Sequence, residues 1–122
     1  MTLEDLKIYT RADELSDEIW EIVLGFKYFE RDTLGKQMTR SADSISANIA
    51  EGFGRYFYKE NRQFCFYARG SLMETKNWVG KCFRRGLIPE NQFLAINEKL
   101  EGLHKSINAY IKKIGKQETN DH

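Results

Sequence analysis

The chain has 122 residues, 41% of them apolar and 30% charged, the length of one compact domain with enough apolar matter for one core. Its 19 basic and 18 acidic side chains nearly cancel, and a single proline with 13% aromatics excludes a collagen-like, low-complexity or disordered chain. No apolar run approaches the roughly 18 residues of a membrane span, and Met1-Thr2-Leu3-Glu4-Asp5 lacks the basic-then-apolar order of a secretory signal, so a soluble cytoplasmic protein is expected.

The first apolar series, Ile8, Ala12, Leu15, Ile19, Ile22 and Phe26, alternates steps of four and three and shares one helical face. Asp13, Glu14, Asp17, Glu18 and Glu21 fall between, giving helix one an acidic outer side that ends near Gly25. A turn is expected at Glu30 to Thr33. Helix two, from about Asp32 to Phe53, carries Leu34, Met38, Ala42, Ile45, Ile49 and Phe53, with a left-handed glycine cap expected at Gly52-Phe53-Gly54. Helix three starts near Tyr58, carries Phe64, Ala68, Ser71, Thr75, Trp78 and Cys82, and closes on Arg84-Arg85-Gly86, with cations in the last turn and glycine beyond. Pro89 suits the first position of helix four, which continues through Phe93, Ile96, Leu100, Leu103, Ile107, Ile111 and Ile114. Residues 1–115 are thus expected to form one all-α domain, an antiparallel up-down four-helix bundle, and residues 116–122 a frayed polar tail. Glycines inside the helical patterns (Gly70, Gly80, Gly102) each cost about 1 kcal/mol relative to alanine, and close packing is the expected compensation.

Recognisable catalytic and metal chemistry is missing. Cys65 and Cys82 lie on one helix, roughly 25 Å apart at 1.5 Å per residue, beyond the reach of a disulfide; Cys82 is expected in the core and Cys65 partly buried. Glu101-Gly102-Leu103-His104 has the Glu-x-x-His step of di-iron bundles, but such a centre needs the motif twice and the other histidine is His122. Gly52-Phe53-Gly54 follows a helix, not a strand, so it is no nucleotide loop. No enzyme, cofactor or metal is expected.

Near-neutrality hides a segregation: residues 1–30 hold three basic and eight acidic side chains, residues 55–86 eight basic and two acidic. Lys59, Arg62, Arg69, Lys76 and Arg84 share a side of helix three opposite the Phe64 to Cys82 stripe, with Phe66 and Met73 interleaved, a pattern suited to phosphates and unstacked bases. The alternative is a solvated side whose cations pair with acidic helix one, in the same chain or a neighbouring subunit. On helix two a polar row of Ser41, Ser44, Asn48, Glu51 and Arg55 borders the core. It calls either for a buried network, with Arg69, Ser71 and Glu74 as partners, or for a ligand or subunit contact.

At Arg40-Ser41-Ala42-Asp43-Ser44-Ile45-Ser46-Ala47-Asn48-Ile49-Ala50-Glu51-Gly52-Phe53-Gly54-Arg55 and Tyr67-Ala68-Arg69-Gly70-Ser71-Leu72-Met73-Glu74 the chain resembles the four-helix bundle proteins encoded by intervening sequences of bacterial 23S ribosomal RNA genes. The likeness extends to Asp5-Leu6-Lys7-Ile8-Tyr9 and Gly86-Leu87-Ile88-Pro89, with Thr75 standing where the family often has leucine. The resemblance implies a ring-shaped homopentamer. Through the related accessory protein of diversity-generating retroelements, it also implies RNA or DNA and a reverse transcriptase or other protein as partners. Arg55, Arg62, Arg69 and Lys76 are the expected phosphate contacts, and Arg40, Ser44, Asn48, Glu51, Gly52, Gly70, Ser71 and Glu74 the family-motif residues expected in packing or an interface.

Overall fold

The computed structural model describes the backbone of residues 1–120 and the side chains of residues 1–117. Four long helices form the molecule: α1 (Lys7–Leu24), α2 (Lys36–Phe53), α3 (Tyr58–Arg84) and α4 (Glu90–Asn120). Each runs antiparallel to the next. α1 packs on α2, α2 on α3 and α3 on α4, and the slighter contact of α1 with α4 closes the bundle, leaving α1 and α3 diagonally opposed.

The apolar stripes explain the packing. Ile19, Ile45, Leu72, Leu100 and Ile107 are wholly buried, one or two from each helix, with Met38, Ile49 and Val79 around them. On α3 the core-facing arc is Cys65, Ala68, Leu72, Thr75, Val79 and Cys82, whereas Phe64, Ser71 and Trp78 are half-buried beside α2. The arc is therefore rotated toward α4 relative to the stripe through Phe64, and Cys65 is fully buried, not partly.

Helix ends follow the sequence expectation near Gly25 and Gly86 and depart from it at the α1–α2 joint, at Gly54 and after Gly115. α1 ends at Leu24, and the chain turns at Gly25, where the Gly25 and Phe26 N–H groups donate to Ile22 O and Val23 O. Helix resumes already at Tyr28–Glu30 and passes through a π-helical stretch, Arg31–Gly35, directly into α2, so Glu30 to Thr33 is no turn. The widened turn lets Leu34 and Gly35 reach the core. There a Cβ on Gly35 would stand 2.7 Å from Val23 Cγ1, and the Thr33 hydroxyl donates to Phe29 O at 2.7 Å. Gly54 closes α2 with right-handed dihedrals (φ −78°), so no left-handed cap forms there. That cap occurs at Gly86, φ +76°, where Gly86 N–H donates to Phe83 O at 3.0 Å and Leu87 N–H to Cys82 O at 2.8 Å, the paired bonds of a Schellman motif. Pro89 precedes α4, its carbonyl accepting the Phe93 N–H. α4 continues past Gly115 to Asn120; of the expected tail, residues 121–122 lie outside the described residues. Among the described residues no helix is long and apolar enough to cross a membrane.

Candidate functional site

The residues singled out in the sequence gather on two seams flanking α3. On the α3–α4 side, Arg62, Arg69 and Lys76 lie one heptad apart, and their counterparts on antiparallel α4 lie one heptad apart in the other direction. Arg69 Nη1 donates to Asn108 Oδ1 at 2.8 Å, Lys76 Nζ stands 3.6 Å from Glu101 Oε1, and Arg62 Nη1 lies 3.5 Å from where a Cβ on Gly115 would sit. The three cations thus line the edge of a helix interface. They do not stand opposite the core, because the true buried arc includes Cys65, Leu72 and Val79, and Arg69 and Lys76 are half-buried beside it. Arg55 ends α2's polar row: Nη2 donates to Glu51 Oε1 at 2.6 Å, and the guanidinium lies 4.8 Å from the Phe64 ring centroid. Arg69 stands likewise 5.2 Å over Phe66. Within the chain acidic α1 is not their partner, since it lies across the bundle; its Glu18 accepts from Lys99 of α4 instead.

On the α2–α3 side the polar row resolves into a short buried link. Ser41 Oγ donates to Met38 O at 3.1 Å, and Thr75 Oγ1 lies 2.9 Å from Ser41 Oγ and 2.8 Å from Ser71 O. With the Ser41 proton on Met38 O, the single Thr75 proton goes to Ser41 Oγ or Ser71 O, so each buried hydroxyl has a partner without a ligand. Asn48 Nδ2 donates to Ser44 O on its own helix at 2.8 Å, and Trp78 Nε1 donates to Glu74 at 3.4 Å. The partner for Ser41 is therefore Thr75; of the three residues expected to answer the row, only Ser71 joins, through its carbonyl, while Arg69 turns to α4 and Glu74 to Trp78.

The motif glycines divide by environment. A Cβ on Gly52 would meet Asn61 Oδ1 at 2.7 Å, Phe64 Cβ at 2.9 Å and Asn61 O at 3.0 Å, so glycine is required for α2 to cross the start of α3 at this distance. Gly70 and Gly102 have nothing within 4 Å of that position, so contact within the chain does not compensate for either. Around Gly70 the outward side of α3 presents Gln63, Phe66, Tyr67, Met73 and Asn77 with Glu74 as its one charge, and Tyr67 and Met73 are about half exposed. Arg40 is exposed on α2.

Two further features were not anticipated. Tyr56 and Phe57, between α2 and α3, are 90% and 61% exposed, with ring centroids 4.9 Å apart; three aromatics in a row at an interhelical turn were the signal. The second is an acidic patch where Asp43 of α2 faces Asp13 and Asp17 of α1, and burial followed by those two charges pushes the Asp43 carboxyl up. Cys65 and Cys82 are free, and burial raises both thiols to about 11, so they stay protonated near neutrality. No group of three or more His, Cys, Asp or Glu is placed to share a metal ion among the described residues.

Fold and seams together define a four-helix bundle keyed along α2 and α3 by small and polar residues. The chain belongs to the 23S rRNA-intervening sequence protein family, which it matches over residues 4–109. Among solved structures, it shares its fold with a protein with unknown function from the S23 ribosomal protein family of Bacteroides thetaiotaomicron. The TM-score is 0.78 at 23% identity, covering 86% of this chain and 98% of that one. No curated protein matches the sequence.

Proposed function

We propose that the protein is a non-enzymatic, cytoplasmic adaptor that assembles as a homopentamer and associates with RNA or DNA. The observation that carries the reading is the outward side of α3, where Phe66, Tyr67 and Met73 surround a glycine with open space above it. A mid-helix glycine facing solvent costs about 1 kcal/mol against alanine, whereas at a subunit contact it admits a neighbour's backbone closely. Assembly also supports the nucleic-acid role, because a ring repeats a weak cationic surface and raises avidity for a polyanion without a basic monomer.

Arg55, Arg62, Arg69 and Lys76 are the proposed phosphate contacts. Arg55 and Arg69 lie over aromatic rings, which leaves guanidinium edges to donate, and Tyr56 and Phe57 beside Arg55 offer faces on which unpaired bases can stack. The test is a retardation assay with the fourfold glutamine variant. Binding is expected to weaken and the slope of log K against log salt to flatten by roughly one unit per lost contact. Unchanged retardation by a variant that melts as a folded protein refutes the nucleic-acid role.

A second reading is favoured by the interhelical bonds of Arg69 and Lys76: an oligomeric scaffold that binds a protein partner without touching nucleic acid. In that case the same four substitutions leave nucleic-acid affinity as it was and lower the mass seen by light scattering.

A further inference from the structure

The π-helical stretch borders a cavity of about 660 Å³ that the seams above do not use. Its walls carry two aromatic rings, Phe29 from the turn before the π stretch and Trp78 from α3. Three cations line it: Lys36 and Arg40 of α2, and Arg85 at the end of α3. Lys36 and Arg40 are four residues apart on one helix, a like-charged spacing that opposes helix stability unless an anion lies between them. Among the described residues none of the three cations has a carboxylate within ion-pair distance, although Glu30 and Asp32 also line the cavity. Lys81 Nζ, 5.0 Å over the Trp78 ring, adds positive potential beside the aromatic wall.

We propose that this cavity binds a nucleotide unit carrying one phosphate, with the phosphate among Lys36, Arg40 and Arg85 and the base against Trp78 and Phe29. The volume falls within the roughly 300 to 1,000 Å³ of small-ligand sites. Three cations against two carboxylates leave one net positive charge, which suits a single phosphate and disfavours a triphosphate. Glu30 and Asp32 can accept hydrogen bonds from ribose hydroxyls. The unit is either a free nucleoside monophosphate or the 5′-phosphorylated end of an RNA strand, and both present the same groups. The site shares no residue with the phosphate contacts of the preceding reading, so the two stand or fall separately.

The experiment uses Trp20→Phe, which leaves Trp78 as the sole fluorophore of the two tryptophans. Adenosine 5′-monophosphate is expected to change its emission saturably, with adenosine, inorganic phosphate and ATP each weaker. Adding Arg40→Gln or Arg85→Gln is expected to weaken the monophosphate about tenfold or more with an unchanged melting temperature. A 5′-phosphorylated decamer RNA that binds more tightly than both the monophosphate and the 5′-hydroxyl decamer identifies the strand end as the ligand, whereas a monophosphate that binds as tightly as the decamer identifies the free nucleotide. Emission that no probe alters, or that the glutamine variants leave as it was, overturns the proposal. So does a loss of assembly mass in those variants without loss of nucleotide affinity, which would make the cavity a subunit contact.

Discussion

At the scale of single residues, Gly52 and Gly70 look alike in the sequence and differ entirely in surroundings. The first has no room for a methyl group, and the second has nothing above it. Gly52→Ala is expected to destabilise by about 1 to 3 kcal/mol, because even if the Asn61 side-chain oxygen swings aside, Phe64 Cβ and the Asn61 carbonyl of α3 stay in the way and cannot yield without moving the helix. Gly70→Ala is expected to stabilise the isolated bundle by about 0.5 to 1 kcal/mol while weakening self-association. Urea melts and light scattering of the pair check both. A Gly70→Ala protein that assembles as well as the parent contradicts a subunit contact there. The glycines could not be sorted from sequence, since one backbone atom type serves close approach, capping and bare surface alike. Gly86 was the exception, because cations before it and an apolar residue after it spell out the cap.

At the scale of helices, the seven-residue spacing of Arg62, Arg69 and Lys76 was visible, but its direction was not. The stripe drawn through Phe64, Ser71 and Trp78 sits at one edge of the buried arc, and that offset moved three cations from the α4 seam to the solvent side. Four helices, their order and most core positions were legible because each apolar series keeps one period throughout; the joint between α1 and α2 was not, because a π stretch has no distinct composition. A cost is visible between α1 and α2, where Asp13, Asp17 and Asp43 face one another. The folded state holds the Asp43 proton more tightly than the unfolded chain, so this residue's penalty appears as pH rises through the range above its ordinary value of 3.8 and vanishes below it. Asp43→Asn is expected to raise the melting temperature modestly at pH 7, with the gain shrinking in high salt, since the carboxyl is only partly shielded from solvent, and at acid pH. Thermal melts across pH and salt will show it. A gain independent of both would point to packing, not charge.

For the molecule as a whole, the bundle is unevenly closed. α2 and α3 share the most extensive interface and α1 and α4 the slightest, bridged by Glu18 with Lys99 and by Arg11 Nη1 donating to Ser106 at 3.2 Å. A groove of about 530 Å³ lies along that weaker seam, with Leu15 and Gly102 among its walls. Native-state hydrogen exchange should therefore release the central amides of α1 before those of α3, through a partial opening that leaves α2 and α3 paired. Equal protection across both would indicate one cooperative unit. The order of residues disclosed a charge-segregated helical domain, but the cavity by the π stretch needs Lys36, Arg40 and Arg85 brought together from distant positions, and only the fold does that.

The five residues Arg31–Gly35 work as a take-up loop between the short turn that bears Phe29 and the long rod of α2. One turn of this wider coil holds about one residue more than an α turn, so it absorbs a surplus residue with little net rotation about the axis. Excising one of the five would tighten the coil to its ordinary gauge and leave Phe29 and the stripe beyond Lys36 at nearly their present headings, while Leu34 and Gly35 would lose the swell that seats them. Chain length is thus adjustable there by one residue without turning the two ends against each other.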